Sequence, residues 1–155
     1  MIWLGHVLAA TVPVTPGGLQ PALDSAAPGD VLVLAEGVYD GPFTISTAVT
    51  VVAEPSRAGP VVLTAATGPV VQVDASARLV DLEVDGAGAR GLQVTASDVV
   101  LDGLFVYDGD GDFGGGLQVA GTGLDLVRCR FEDNQAAQQG GHVYASVPLA
   151  VWGGE

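Results

Sequence analysis

The sequence predicts an all-β fold, a right-handed single-stranded parallel β-helix (solenoid) with a short capping helix near its N-terminus. Three observations predict it. Short apolar segments recur in two interleaved series, with 21 to 25 residues between successive members. The stretch over residues 18–27 has the apolar spacing of a helix. The composition is 48% apolar, with 23 Gly and 9 Pro, which favours many short strands punctuated by turns over long helices. At 155 residues the chain is one domain's worth and long enough to bury a core.

Residues 1–16 read as a signal peptide or an N-terminal strand, and residues 17–155 as the β-helix domain. The opening MIWLGHVLAATVPV is apolar and ends in small residues, as a leader cleaved after about Ala9 or Ala10 would, but it lacks a basic start. Gly18 precedes the expected helix, and Pro21 is tolerated in its first turn. Leu19, Ala22, Leu23 and Ala26 share one face, and Pro28-Gly29 ends the helix. Such a helix covers the open end of an apolar stack, which is what a terminal capping unit does. Strands are expected at about 31–35, 43–45, 49–53 and 61–63.

The repeat proper follows. ARLVDLEV at 77–84, VVLDGLFV at 99–106 and LDLVRCRF at 124–131 carry apolar residues at their third, sixth and eighth places. Between them lie VQV at 71–73, GLQV at 91–94, GLQV again at 116–119 and GHVY at 141–144. A hairpin meander would need a tight turn between neighbours. Here the connections at 85–90 and 120–123 read as bends, so each coil lies on the one before, with equivalent residues about 4.8 Å apart. Leu82, Leu104 and Cys129 then share one inward column, Val84, Val106 and Phe131 a second, and Val94, Val119 and Tyr144 a third, unless a local bulge shifts Tyr144. A β-sandwich also uses short strands and Gly-rich turns, but it does not explain the repeated GLQV.

Two segments carry a family resemblance. LQPALDSAAPGDVLVLAEGVYDGPFTI resembles the opening coil of the right-handed β-helix superfamily that includes pectate-lyase-like proteins, through its APGD…L.L..G.Y pattern. CRFEDNQAAQQGGHVYA resembles the F..N.A..GG.IY repeat of polymorphic outer-membrane proteins, with Phe131, Asn134, Ala136, Gly140, Gly141, Val143 and Tyr144 matching and His142 departing. The resemblance implies a β-helix. It leaves function open, since this scaffold carries lyases, hydrolases, adhesins and spikes. Proteins with the second motif are mostly surface or passenger domains, which implies a secreted or bacterial cell-surface location.

Charge narrows the partners. With 18 acidic residues against 5 Arg and no Lys, the formal charge is -13. Nucleic acid and anionic lipid are disfavoured. Calcium, cationic surfaces and neutral glycans remain compatible, and a glycan or a surface protein is an expected partner. The longest apolar run falls short of the ~20 residues that span a bilayer, so no transmembrane segment is expected. A lone Cys129 forms no intrachain disulfide and reads as a buried small apolar residue.

The sharpest polar feature is Tyr107-Asp-Gly-Asp-Gly-Asp-Phe-Gly-Gly-Gly116. Asp108, Asp110 and Asp112 alternate in what reads as a flexible loop and offer hard oxygen ligands to calcium. The EF-hand match fails at Phe113 and Val119. The connection at 132–140 is expected beside this loop, contributing Glu132 or Asp133. A glycosidase pair would come from Asp102, Asp108, Asp110 and Asp133, though nothing fixes their separation. A calcium-assisted polysaccharide lyase would use Arg128 as the proton-abstracting base, on one face with the acidic loop; otherwise Arg128 and Arg130 point outward and balance nearby acids. Asn134 reads as an inward anchor at a bend, and His142 as a partly buried ring. The chain closes on SVPLAVWGGE with no terminal helix, so self-association through an uncapped C-terminal coil is expected. The functional expectation is a non-enzymatic structural or adhesin-like module, with the lyase as the alternative.

Overall fold

The computed structural model describes residues 8–153 and is a parallel β-solenoid. Strand β1 (Thr11–Val14) is followed by helix α1 (Leu19–Ser25). The first coil holds β2 (Val31–Leu34), β3 (Gly37–Asp40) and β4 (Phe43–Ile45); the second, β5 (Thr50–Ala53), β6 (Val61–Thr64) and β7 (Val71–Val73). The third holds β8 (Arg78–Val80), β9 (Glu83–Asp85) and β10 (Leu92–Val94). The fourth gains a strand: β11 (Val100–Asp102), β12 (Phe105–Tyr107), β13 (Asp110–Phe113) and β14 (Leu117–Val119). So does the fifth: β15 (Asp125–Val127), β16 (Arg130–Glu132), β17 (Gln135–Gln139) and β18 (Val143–Ala145). Strand β19 (Ala150–Trp152) begins another turn.

Stacking the coils produces three sheets. The first runs β1-β2-β5-β8-β11-β15-β19, the second β3-β6-β9-β12-β16, and the third β4-β7-β10-β14-β18. Strands β13 and β17 pair apart from these as a two-stranded ledge between the second and third sheets. All these pairings are parallel, and each joins adjacent turns.

The inward columns explain why these segments become strands. Leu32, Val51, Leu79, Leu101 and Leu126 are in register, and all are buried. Leu82, Leu104 and Cys129 occupy one level on successive coils, each at most 3% exposed, as the sequence predicts. Val84, Val106 and Phe131 align likewise. Each Val or Leu removed from water contributes on the order of 1.5–3 kcal/mol, which the coil needs against the entropy of ordering so short a strand. The third column needs correction. Val119 faces Ala145, and Tyr144 faces Gln118, because the longer fifth coil shifts GHVY by one place. His142 therefore occupies the level of Gly116, and it is exposed rather than partly buried.

Helix α1 replaces two strands of a turn and buries Leu19 and Leu23 against the core, with Ala22 and Ala26 half-buried beside them. It is shorter than the 18–27 expected, since Ala26 is already extended. Its Gln20 carboxamide accepts from Thr44 N–H at 2.9 Å and donates to Thr44 C=O at 3.2 Å, as a neighbouring strand's peptide would. The open edge of β4 is thus satisfied by one side chain. Asp30 ties down the same end: its carboxylate accepts from the N–H groups of Ala10 (2.7 Å) and Ala27 (2.8 Å), which hold its pKa below the usual carboxylate value. Residues 1–7 lie outside the described residues, so the leader expectation falls partly there. Residues 11–14 pair with β2.

Corners between the first and second sheets are built alike. Asp81 (φ 54), Gly103 (φ 69) and Arg128 (φ 51) stack there in the left-handed region. Asp and Gly tolerate this conformation; Arg does so at a cost. The sequence pattern does not predict β3, because Gly37 interrupts its apolar alternation.

Candidate functional site

Two regions hold the polar residues that the sequence singles out. The first is the Arg128 corner. The left-handed turn swings Arg128 back over the preceding coil, where its Nε and Nη2 donate to Asp102 Oδ1 at 3.1 and 2.5 Å. Arg78 Nη2 donates to Asp102 Oδ2 at 3.0 Å. One carboxylate, its side chain 10% exposed, thus clamps guanidinium groups from the coils on either side. Its hydrogen bonds with Arg128 do most to hold the Asp102 carboxyl below the usual range, against the opposing effect of burial. The same bonds push the Arg128 guanidinium further up. A proton-abstracting base requires the opposite shift. Asp102 is likewise a poor general acid, since that role needs a raised pKa.

The second region is the ledge. The expected flexible loop is instead a strand: Asp110 pairs with Gln135 and Gly111 with Ala136, and the register slips before Phe113 meets Gln139. Asp108 is a left-handed corner residue (φ 52) ahead of the strand. Asp108, Asp110 and Asp112 are all exposed. Among the described residues no group of three or more His, Cys, Asp or Glu is placed to hold a metal ion. The 132–140 connection does lie beside the acidic segment, yet Glu132 pairs with Arg130 at 2.5 Å and Asp133 forms a corner at φ 52.

Arg128 and the acidic strand occupy different corners. Arg128 lies between the first and second sheets, the ledge between the second and third. The shared face expected from sequence is therefore not formed. The cation beside Asp110 and Asp112 is Arg90. Together with Gly88, Ala89, Gly111 and residues 66–69 it lines an open groove of about 610 Å³, beneath the step where the coils lengthen. Arg90 Nη1 donates to Gln93 Oε1 at 2.9 Å, while its buried Nε has no partner. Sequence reasoning missed this groove because Arg90 and Asp110 meet only once coil register is known.

Asn134 anchors the ledge. Its Oδ1 accepts from Gly109 N–H and its Nδ2 donates to Val106 C=O, both at 2.9 Å, with the residue 7% exposed. That is the inward bend anchor read from sequence. A Cβ at Gly116 would press on this amide, so the lower coil needs glycine at that level. Cys129 is buried, its Sγ donating to the Leu101 carbonyl at 3.1 Å, and burial pushes its thiol pKa up, away from nucleophilic reactivity. Among the described residues no helix is long and apolar enough to cross a membrane. No protein-family model, curated protein or solved structure matches the chain.

Proposed function

We propose that this chain is a non-catalytic β-helix scaffold of a secreted or bacterial surface protein, presenting its ledge groove to a neutral glycan. The observation that carries the reading is how the charged and amide side chains are used. Asp102, Arg78 and Arg128 bind coil to coil, Asn134 holds backbone, and Asp30 fastens the N-terminal end. These groups serve the stack. The groove retains free carboxylates and a guanidinium, which hydrogen-bond sugar hydroxyls, whereas a formal charge of -13 opposes an anionic polymer. The apolar opening supports export, and cleavage after Ala9 would leave β1 and Ala10, whose N–H donates to Asp30, in place. The APGD opening coil and the Phe131–Tyr144 motif support kinship with pectate-lyase-like and polymorphic outer-membrane β-helices.

A glycan array and a lyase assay with and without calcium test this together. Retention of neutral glycans that is lost in Arg90→Ala is expected, with no new unsaturated-uronate absorbance. Absorbance that grows with calcium, vanishes in chelator and is lost in Arg128→Ala would replace the scaffold by a calcium-assisted lyase.

A further inference from the structure

Two outward rows run up the second sheet. Val38, Val62, Glu83, Phe105 and Arg130 are in register, and so are Asp40, Thr64, Asp85, Tyr107 and Glu132. Side chains alternate across a strand, so both rows turn away from the core, and all ten residues are exposed or half-buried. The face is apolar at its N-terminal end. Val38 is 56% exposed, and with Val62 and Pro60 it lines an open groove of about 560 Å³. On the fourth coil it is aromatic, with the Phe105 and Tyr107 rings 4.7 Å apart and tilted by 35°. Elsewhere it is acidic. Among the described residues Asp40, Glu83 and Asp85 form no ion pair. The nearby Arg57 donates instead to the carbonyls of Glu54 and Asp81. Burial first, and then the charges of Asp85, Glu83 and Asp108, push the Tyr107 phenol pKa up.

The chain itself seats one cation on this face. Arg130 Cζ stands 4.9 Å from the centre of the Phe105 ring, while its Nη2 pairs with Glu132 at 2.5 Å. A ring and a carboxylate thus hold a guanidinium between them. Tyr107 offers a second ring with Asp85 in register beside it, and among the described residues no cation lies over it.

We propose that this face binds an extended basic segment of a partner protein, with an Arg or Lys against Tyr107 and Asp85 and an apolar side chain against Val38 and Val62. Charge complementarity favours such a partner, since the chain carries a formal charge of -13 and these carboxylates lack internal counter-charges. Three coil steps separate Val38 from Phe105, about 14 Å, which about four residues of extended chain span. An even spacing places both anchoring side chains on one side of that segment. A metal ion would engage the carboxylates and leave the rings and valines in water. A stacked sugar would need the Phe105 ring that Arg130 occupies. The groove at Arg90 lies round the corner beneath the ledge, so the two sites are separate.

Fluorescence anisotropy of the whole chain with a labelled octapeptide, Leu-Ser-Leu-Ser-Arg-Ser-Arg-Ser, tests this; its Leu and Arg side chains share one side when extended. Saturable binding that weakens with salt is expected. Asp85→Asn and Tyr107→Leu should each weaken it about fivefold, with unchanged far-UV spectra. Asp125→Asn makes the same change of charge on the outward face of the first sheet and should bind like the parent. No saturable binding, equal weakening in Asp125→Asn and Asp85→Asn, or unaltered affinity in Tyr107→Leu would each overturn the proposal, as would displacement of the peptide by neutral glycans.

Discussion

Replacing Asp102 by Asn keeps the shape of the clamp and removes its charge. Three hydrogen bonds from two guanidinium groups converge on this carboxylate, two of them on Oδ1. A hydrogen bond to a charged group contributes about 1.5–3 kcal/mol when shielded. The Arg78 and Arg128 side chains are 54% and 66% exposed, so water takes up much of what they lose and the pair value falls toward the surface range. About 2 kcal/mol of destabilisation at neutral pH results, or roughly 4–8 °C in Tm for a chain of this size. The effect has a pH signature. The folded-state pKa of Asp102 lies below its unfolded value. Its contribution is therefore fully present above the unfolded pKa of about 3.9, and is lost as pH falls through the folded value. Urea denaturation of parent and Asp102→Asn at pH 7 and again near pH 2 should show a gap that closes in acid. An equal gap at both pH values would mean that shape rather than charge holds these coils, and would refute the reasoning.

Two further substitutions probe the coil-to-coil bonds. Asn134→Ala strands the Gly109 N–H and Val106 C=O groups in a buried place and should cost about 2–4 kcal/mol by denaturant titration, with Asn134→Asp recovering only the Gly109 bond. Gln20→Ala should speed hydrogen exchange at the Thr44 amide about tenfold and cost about 1 kcal/mol, since its two bonds are solvent-exposed.

The repeat was legible because parallel stacking demands the same inward residue at the same level of each turn. Leu82, Leu104 and Cys129 declare that level whatever lies between them. Helix α1 was legible for a similar local reason, its apolar spacing together with Pro28-Gly29. The ledge was not. Asp110–Phe113 and Gln135–Gln139 are poor in strand formers, and they become strands because the corners of two adjacent coils place them side by side. The Asp102 clamp was hidden for another reason: its partners lie 24 and 26 residues away, a distance that becomes contact only when the coil length is known. Likewise the level of Tyr144 cannot be counted from the sequence, because the offset between β14 and β18 depends on how far the ledge bulges.

Pairing only between successive turns makes the molecule close to a one-dimensional lattice. Inserting or deleting a whole turn alters the height by about 4.8 Å and the cohesion by one junction, while the remaining turns keep their neighbours. Because the helix terminates the lattice on one side, such duplication can extend it in one direction, and length becomes a quantity that selection can adjust without redesigning the protein.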